Sequence, residues 1–167
     1  MALSTIPKTM KDGSLQIEDN VSLSIIAQFD QGDFSIDPLK ASLSETTVIE
    51  TRYQFRGIRE GARIYPSGSF TLVVCEFSEA STGTIADAVL QNGAWSSAVS
   101  TLGANAAKYT LKLTFVQNGT AHGESNQSVI LNDCECSLSF SEGETNTITV
   151  NYTVYGSIGG ELVVATP

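Results

Sequence analysis

Hydrophobic and polar residues alternate most regularly between Ser128 and Tyr155, where two long strands are predicted around a turn at Ser141-Glu142-Gly143-Glu144. In the first strand the expected core-facing side chains are Ile130, Cys134, Cys136, Leu138 and Phe140, with Asn132 as a polar exception. In the second strand they are Ile148, Val150, Tyr152 and Val154. Side chains in a strand point alternately to opposite faces, so this hairpin has one apolar and one polar face. The pattern does not fit a helical period, and β-branched residues dominate the second strand.

The other face of this hairpin carries small or acidic side chains beside Val129 and Leu131, and its polar members include no Lys or Arg. These polar members are Asp133, Glu135, Ser137, Ser139, Thr149, Asn151 and Thr153. The apolar face must be buried against another layer. The function of the hairpin therefore depends on what its polar face meets.

Shorter strands are predicted elsewhere by the same signals. They cover residues 14–18, 21–29, 32–36, 45–55, 70–77, 109–115 and 161–165. Residues 1–12 are expected to form an extended N-terminal arm. Residues 40–44 are expected to form a loop. Residues 56–68 are predicted to be a long inter-strand loop, because Gly57, Gly61, Pro66 and Gly68 interrupt any regular element there.

One helix is predicted over residues 84–91. Thr84 and Asp87 form a pair resembling a capping box, and Asn92-Gly93 ends the segment. The expected fold is therefore mainly β, a β-sandwich or barrel-type subunit with one flanking α-helix. A length of 167 residues without an internal repeat suits one domain.

Charge and hydropathy exclude several classes of protein. Eighteen acidic against nine basic residues give a net charge of −9, which argues against tight nucleic-acid binding and against anionic membranes. No apolar run approaches the roughly 20 residues of a membrane span. The first residues lack the apolar core of a signal peptide, so we expect a protein made and used without secretion.

Candidate catalytic and metal-binding residues are few. The lone His122, with Glu124 and Ser125 on the same loop, does not offer the geometry of a triad. Glu142 and Glu144 on an exposed turn lack the apolar pocket that an acid–base pair needs. The three cysteines form no recognised zinc spacing, and Cys134 and Cys136 are expected to be buried free thiols. We expect no enzyme activity, no cofactor and no metal.

The basic residues are more informative, because all four arginines fall within twelve residues. These are Arg52, Arg56, Arg59 and Arg63. They are either solubilising charge or contacts to carboxylates on another copy of the chain, since Arg favours bidentate carboxylate contacts at interfaces. Repeated between identical subunits, such contacts would build an assembly.

Several short motifs resemble, in their order, those of bacteriophage tail tube proteins. They are Lys11-Asp12-Gly13-Ser14-Leu15, Gly32-Asp33-Phe34-Ser35, the segment around Arg52–Arg63, His122-Gly123-Glu124-Ser125, Leu131-Asn132-Asp133-Cys134 and Phe140-Ser141-Glu142-Gly143 with Asn146-Thr147-Ile148. The resemblance implies a homo-hexameric ring, stacked into a hollow tube through which the genome passes. The segment from Arg56 to Ser67 would contact the next ring. The polar hairpin face is either outer solvent surface or the lining of the lumen, and the resemblance favours the lumen.

The same resemblance implies the partners and the location of the protein. A tape measure protein and other tail proteins would be neighbours, DNA would pass without tight binding, and no membrane would be involved. The protein would be assembled in the bacterial host cytoplasm and reside in the virion tail.

Two other classes remain open from the sequence. A carbohydrate-binding or other adhesive β-sandwich of a phage fibre or surface protein is one, although Trp95 is the only tryptophan available for stacking. An enzyme is the other, with His122 as general base. Tubes or rings of six in electron micrographs favour the tail tube, and glycan binding by a monomer favours the adhesive module.

Overall fold

The structure is a computed structural model that describes residues 13–27, 33–40, 43–73, 83–117, 125–143 and 146–160. These residues form ten strands and one α-helix, which confirms a mainly β fold. The elements are β1 (Gly13–Glu18), β2 (Ser24–Ala27), β3 (Ser35–Asp37), β4 (Leu43–Thr51), β5 (Gln54–Ile64), β6 (Ser67–Val73), α1 (Ile85–Leu90), β7 (Leu111–Gln117), β8 (Gln127–Ser141), β9 (Thr147–Val154) and β10 (Ile158–Gly159). A 3₁₀ turn spans Gly93–Trp95.

Eight of the strands form one antiparallel sheet that closes over itself as a sandwich. Its order is β2-β1-β7-β8-β9-β6-β3, with β10 paired to β8. The rings of Phe34, beside β3, and Phe115, on β7, lie 3.6 Å apart between centroids, and Phe70 on β6 meets Phe115 edge-on at 5.9 Å. Strands distant in the sheet order therefore face each other across the core.

The core lies between these layers. The buried apolar side chains of the core come from five strands, α1, the 3₁₀ turn and the segment after it: Leu15, Ile17, Phe70, Leu72, Leu111, Leu113, Phe115, Val129, Leu131, Cys134, Val150, Tyr152, Val154, Ala88, Val89, Trp95 and Ala98. Helix α1 packs against β8 and the 3₁₀ turn, so it flanks the sheet as expected. Among the described residues no helix is long and apolar enough to cross a membrane.

The helix is the element that local chemistry specifies most completely. Thr84 accepts a hydrogen bond from the backbone N–H of Asp87, and the Asp87 carboxylate accepts one from the backbone N–H of Thr84. This reciprocal pair satisfies two N–H groups that would otherwise lack partners at the helix start. Gln91 ends the helix in a left-handed conformation. The predicted helix is confirmed.

A β-bulge in β8 corrects the prediction that Ile130 belongs to the core. Leu113 pairs with Leu131 while Leu111 pairs with Cys134, so β8 has one extra residue between them. Asp133, at φ +54°, provides the local bend. Before the bulge the odd positions Val129 and Leu131 are buried. After it Cys134 is buried and Cys136 and Leu138 are half-buried, whereas Phe140, which was expected to face the core, is 57% exposed. Leu131 is fully buried and Ile130 is not, because one inserted residue exchanges the two faces of a strand.

A second correction concerns the predicted loop over residues 56–68. Most of it is strand, since β5 runs to Ile64 and β6 starts at Ser67. The loop predicted at 40–44 also ends early, because β4 begins at Leu43. Two of the glycines lie within the hairpin: Gly57 pairs with Ile49 in the ladder, and Gly61 lies so close to β4 that an added Cβ would be 3.0 Å from the Glu45 Cβ.

The other predicted strands are found with shifted ends. Strands β1, β2, β3, β6, β7 and β9 overlap the predicted segments, and β6 lies inside the sheet between β9 and β3. The N-terminal arm and the strand at 161–165 lie outside the described residues, as do His122, Glu144 and Cys75.

Candidate assembly surfaces

Strands β4 and β5 form a hairpin whose side chains are exposed over most of its length. The two strands pair with each other in a separate two-stranded sheet. At the tip, Arg52 and Tyr53 have φ of 51° and 63°, the conformation that two-residue turns need to match strand twist. Eleven residues of β5 span about 36 Å at about 3.3 Å per residue. The hairpin prolongs the β3–β6 pair, since Asp37 pairs with Ser67 and Leu43 with Ile64.

Several apolar side chains of this hairpin are exposed to solvent. Val48, Phe55 and Ile58 are 53%, 66% and 69% exposed, and Tyr53 at the tip is fully exposed. Soluble proteins rarely leave such a group uncovered, and an isolated two-stranded hairpin is only marginally stable in water. The sequence did not signal this exposure, because alternating β-branched and aromatic residues are equally typical of a half-buried strand.

Cross-strand pairing sorts the hairpin side chains onto two faces. Val48, Phe55 and Ile58 share one face with the charged Glu50 and Glu60, since Val48 lies opposite Ile58, Phe55 opposite Glu50 and Glu60 opposite Thr46. We call the other face, with Thr47, Ile49, Thr51, Arg56 and Arg59, the basic hairpin face. Arg59 lies opposite Thr47, and Arg56 Nε donates a hydrogen bond of 2.7 Å to Thr51 Oγ1.

The four predicted contact arginines are therefore exposed but not gathered on one surface. Arg56 and Arg59 share the basic hairpin face, and Arg52 lies in the turn. Arg63 lies at the root of the hairpin, on the other side, where its guanidinium is 5.1 Å from the centre of the Tyr65 ring. Tyr65 in turn meets Tyr155 at 5.0 Å between centroids.

The second surface is the outward polar face of β8, β9, β6 and β3. Three rows of small polar residues run across it, and the pairing places six of the seven predicted lumen residues in these rows. The rows are Glu135-Thr153-Ser67-Asp37, Ser137-Asn151-Ser69-Ser35 and Ser139-Thr149-Thr71. Thr71 and Thr149 share a hydrogen bond of 3.2 Å between their hydroxyls. The face is hydrophilic but nearly free of charge at its centre.

A depression of ≈ 490 Å³ lies on this polar face, and Ser67, Ser69, Ser137 and Asn151 are among the residues that line it. A strand surface with hydroxyl and amide groups can form part of the inside of a larger barrel. The polar face can donate and accept hydrogen bonds, but the charge at its centre is small.

Two details change the expected charge of this face. Lys108 Nζ lies 2.8 Å from Glu135 Oε1, and the hydrogen bond and charge of Lys108 hold the pKa of Glu135 below its ordinary value. Lys108 comes from the connection before β7, so the expectation of a face without Lys was incomplete. Asp133 is the bulge residue; its carboxylate lies against Gly156, outside the paired rows.

The described residues contain no cluster of His, Cys, Asp and Glu that could hold a metal ion. Cys134 is buried and Cys136 half-buried, and both are free thiols, as expected. Burial raises the pKa of Cys136 to about 12, so its thiol stays protonated and unreactive at neutral pH. Trp95 is fully buried, so it offers no stacking surface to a sugar.

Solved structures with the same fold include chains of contractile injection systems. A chain of the sheath/tube terminator of the extracellular contractile injection system PVC, in the extended state, has a TM-score of 0.62 and 8% identity, covering 96% of this chain and 99% of that chain. A chain of the PVC sheath-tube complex in the extended state has a TM-score of 0.58 and 9% identity, with coverage of 96% and 99%. A chain of the anti-feeding prophage tube-terminating cap has a TM-score of 0.56 and 11% identity, with coverage of 96% and 95%.

At these identities the likeness shows the fold alone. No protein-family model matches the chain. No curated protein matches it by sequence.

Proposed function

We propose that this chain is a structural subunit of a tail-like tube, which assembles into stacked hexameric rings around a central lumen. The observation that carries this proposal is the exposed β4–β5 hairpin, whose apolar side chains require a partner. Fold likeness to chains from tube-containing assemblies, nearly full-length on both sides, supports it. The chain would act by self-association, without catalysis or cofactor.

Rings would stack through the hairpin and the acidic body of the next copy. A net charge of −9 on a chain whose arginines all lie on or at this hairpin gives the charge complementarity that such stacking needs. Of the four, Arg56 and Arg59 point to one surface together, so we assign them the main contact. Arg63 and Arg52 would contribute from the root and the turn.

The polar face would line the lumen. Ser137, Asn151 and Ser69 form its uncharged centre, and Glu135 with Lys108 lies in a flanking row. Such a wall would not hold DNA, because tight binding of DNA requires cations placed on its phosphates. In a virion tail this lumen would conduct the genome, and a tape measure protein and other tail proteins would be neighbours.

Electron microscopy of the concentrated, purified protein tests the proposal. We expect rings or tubes of six-fold symmetry from the native chain. Replacing Arg56, Arg59 and Arg63 together with Ser should leave a folded subunit that forms rings at most, since exposed arginines do not hold the core together. A protein that stays monomeric at high concentration, at every salt concentration tried, would contradict the proposed function.

A further inference from the structure

The β4–β5 hairpin joins the main sheet through a short connection, Tyr65-Pro66. The β3–β6 ladder ends at Ser67 and the β4–β5 ladder begins at Ile64, so pairing is interrupted at these two residues. Pro66 is fully buried, and its carbonyl accepts a hydrogen bond of 2.8 Å from the backbone N–H of Val154. Pro66 is therefore fixed to the body of the subunit, and Tyr65 is the first residue of the hairpin beyond it.

The hairpin ladder is irregular close to this connection. The pairing of β4 with β5 shifts between Ser44 and Thr46, and again between Ile49 and Glu50. Such β-bulges bend and twist the strands that contain them. Among the strands that the structure describes, β4 and β5 pair only with each other. The direction in which the hairpin points therefore depends on contacts between side chains at its root.

A row of side chains crosses the root from the hairpin to the body. The guanidinium carbon of Arg63 lies 5.1 Å from the centre of the Tyr65 ring. The Tyr65 ring lies 5.0 Å from the Tyr155 ring between centroids, tilted by 56°. Both distances suit attractive contacts, a cation–π contact and an aromatic pair. Because Tyr155 directly follows β9, the two rings join the hairpin to the body.

The row continues through Glu135. Desolvation, the charge of Glu135 and a hydrogen bond to its carboxylate raise the pKa of Tyr155, so the Tyr155 hydroxyl lies beside that carboxylate. Glu135 Oε1 is also 2.8 Å from Lys108 Nζ. The carbonyl of Lys108 accepts a hydrogen bond of 3.0 Å from Ser100 Oγ, which shares a buried contact with Thr110 Oγ1. The far end of the row is thus anchored in the body.

We infer that this row, which we call the root cluster, fixes the direction of the hairpin in the single subunit, before the hairpin meets any partner. Its members are Arg63, Tyr65, Tyr155, Glu135 and Lys108. Each side chain is partly exposed, so no single contact is strong, but all of them act at the same connection. A hairpin held in one direction loses less freedom when it binds, which strengthens association. The inference concerns contacts within one chain and does not depend on the proposed function.

Distances between two spin labels test this inference in the full-length protein, at a concentration low enough to keep it monomeric. One label replaces Tyr53 at the exposed tip, and the other replaces Ser24, at an exposed position on β2. Both are attached through genetically encoded keto amino acids, so the native cysteines stay unlabelled. Pulsed electron paramagnetic resonance then gives the distribution of distances, and we expect one narrow peak from the otherwise native chain.

Substitution of Tyr155 interrupts the root cluster at its centre. We expect Tyr155→Ala to broaden the distribution about twofold or more, because few buried contacts then hold the hairpin. Tyr155→Phe keeps the ring beside Tyr65 and loses only the hydroxyl, so its broadening should be smaller. Phe140→Ala removes an exposed aromatic ring elsewhere on the body and should leave the width unchanged. Circular dichroism checks that each variant folds.

A double substitution tests whether the root cluster acts as a unit. Glu135→Ala removes both the acceptor of the Tyr155 hydroxyl and the partner of Lys108, so it should broaden the distribution. Adding Tyr155→Phe should broaden it no further, because the hydroxyl has already lost its carboxylate. Additive broadening would contradict the connection between these residues.

Two results would overturn the inference whether or not the protein forms tubes. One is a narrow distribution in Tyr155→Ala, or in Glu135→Ala if the first variant does not fold. The other is a broad distribution in the chain that carries only the two labels. A narrow peak that broadens in these variants supports the inference even if no assembly forms, so its failure is distinct from failure of the proposed function.

Discussion

The Asp19 carboxylate accepts hydrogen bonds both from the turn between β1 and β2 and from the segment before β7. Its Oδ1 accepts hydrogen bonds from the backbone N–H groups of Val21, Ser22 and Leu23, at 3.0, 2.8 and 2.8 Å. Its Oδ2 accepts one of 3.1 Å from Val99. Burial alone would raise the pKa of Asp19, but these four N–H donors outweigh it and hold the pKa below its ordinary value of 3.8.

Replacing Asp19 with Asn tests the contribution of these four hydrogen bonds to stability. The amide keeps one oxygen but turns an N–H₂ donor towards the N–H of Val99, so we expect a loss of about 1–2 kcal/mol in unfolding free energy at pH 7. Because the folded pKa is depressed, the stabilisation is present above pH 3.8 and is lost as pH falls through the folded value. Urea denaturation should therefore show a difference at pH 7 that shrinks in acid. Glu142→Gln, at an exposed position, is the control.

The bulge in β8 can be tested with two adjacent residues. Leu131 is fully buried, so Leu131→Ala should cost about 2–4 kcal/mol. Ile130 lies on the opposite side and is only half-buried, so Ile130→Ala should cost about 1 kcal/mol or less. Uninterrupted alternation across Ser128–Phe140 predicts the reverse order, which chemical denaturation of the two variants would reveal.

At the scale of elements, local signals predicted most of what was found. The Thr84–Asp87 capping box and the period-two pattern of β7, β8 and β9 depend on neighbouring residues, so the sequence displays them directly. The bulges could not be predicted in this way. Their positions depend on how a strand pairs with its partner. Asp133, for example, lies opposite the break between β9 and β10, where the backbone N–H of Tyr155 donates a hydrogen bond to the Asp133 carbonyl.

The candidate assembly surfaces, too, could be predicted from the sequence only in part. The sequence showed that the four arginines of the β4–β5 hairpin cluster. It also showed the polar face of the second hairpin, Ser128–Tyr155. It did not show the sorting of Arg56 and Phe55 to opposite faces, because that requires the register of β4 and β5. Nor did it show the Lys108–Glu135 ion pair, which joins residues 27 positions apart.

Removal of the hairpin should separate folding from assembly. Ser44 and Arg63 are paired, so replacing residues 45–62 with Asn-Gly closes a short turn at that point. The hairpin contributes nothing to the buried core, so the shortened chain should keep its β-type circular dichroism spectrum and its thermal midpoint within a few degrees. It should remain monomeric in sedimentation. A shortened chain that fails to fold would show that the hairpin stabilises the subunit itself.

At the scale of the whole molecule, the polar face can be tested by changing its charge. Ser137 and Asn151 are exposed cross-strand partners at its centre. Replacing both with Lys should leave tubes intact but slow DNA delivery from assembled particles, since each phosphate contact adds to sequence-independent affinity. Ser24→Lys, at an exposed position on β2, should change neither property. Unchanged delivery with intact tubes would place the polar face outside the lumen.

The polar face and the hairpin are connected in the structure, which links the two proposed roles. The β4–β5 hairpin continues the β3–β6 pair, and β6 carries Ser67 and Ser69 of the polar face. A subunit whose β6 lines the lumen would thus extend its hairpin along the tube, towards the next ring. The Tyr65–Tyr155 contact lies where the two surfaces join.

Cryo-electron microscopy of the assembled protein tests the central claim most directly. A reconstruction should show six-fold rings with Ser137, Asn151 and Ser69 facing the lumen, and with the β4–β5 hairpin in contact with an adjacent ring. An assembly in which the polar face points outward, or in which the hairpin remains exposed to solvent, would contradict the account.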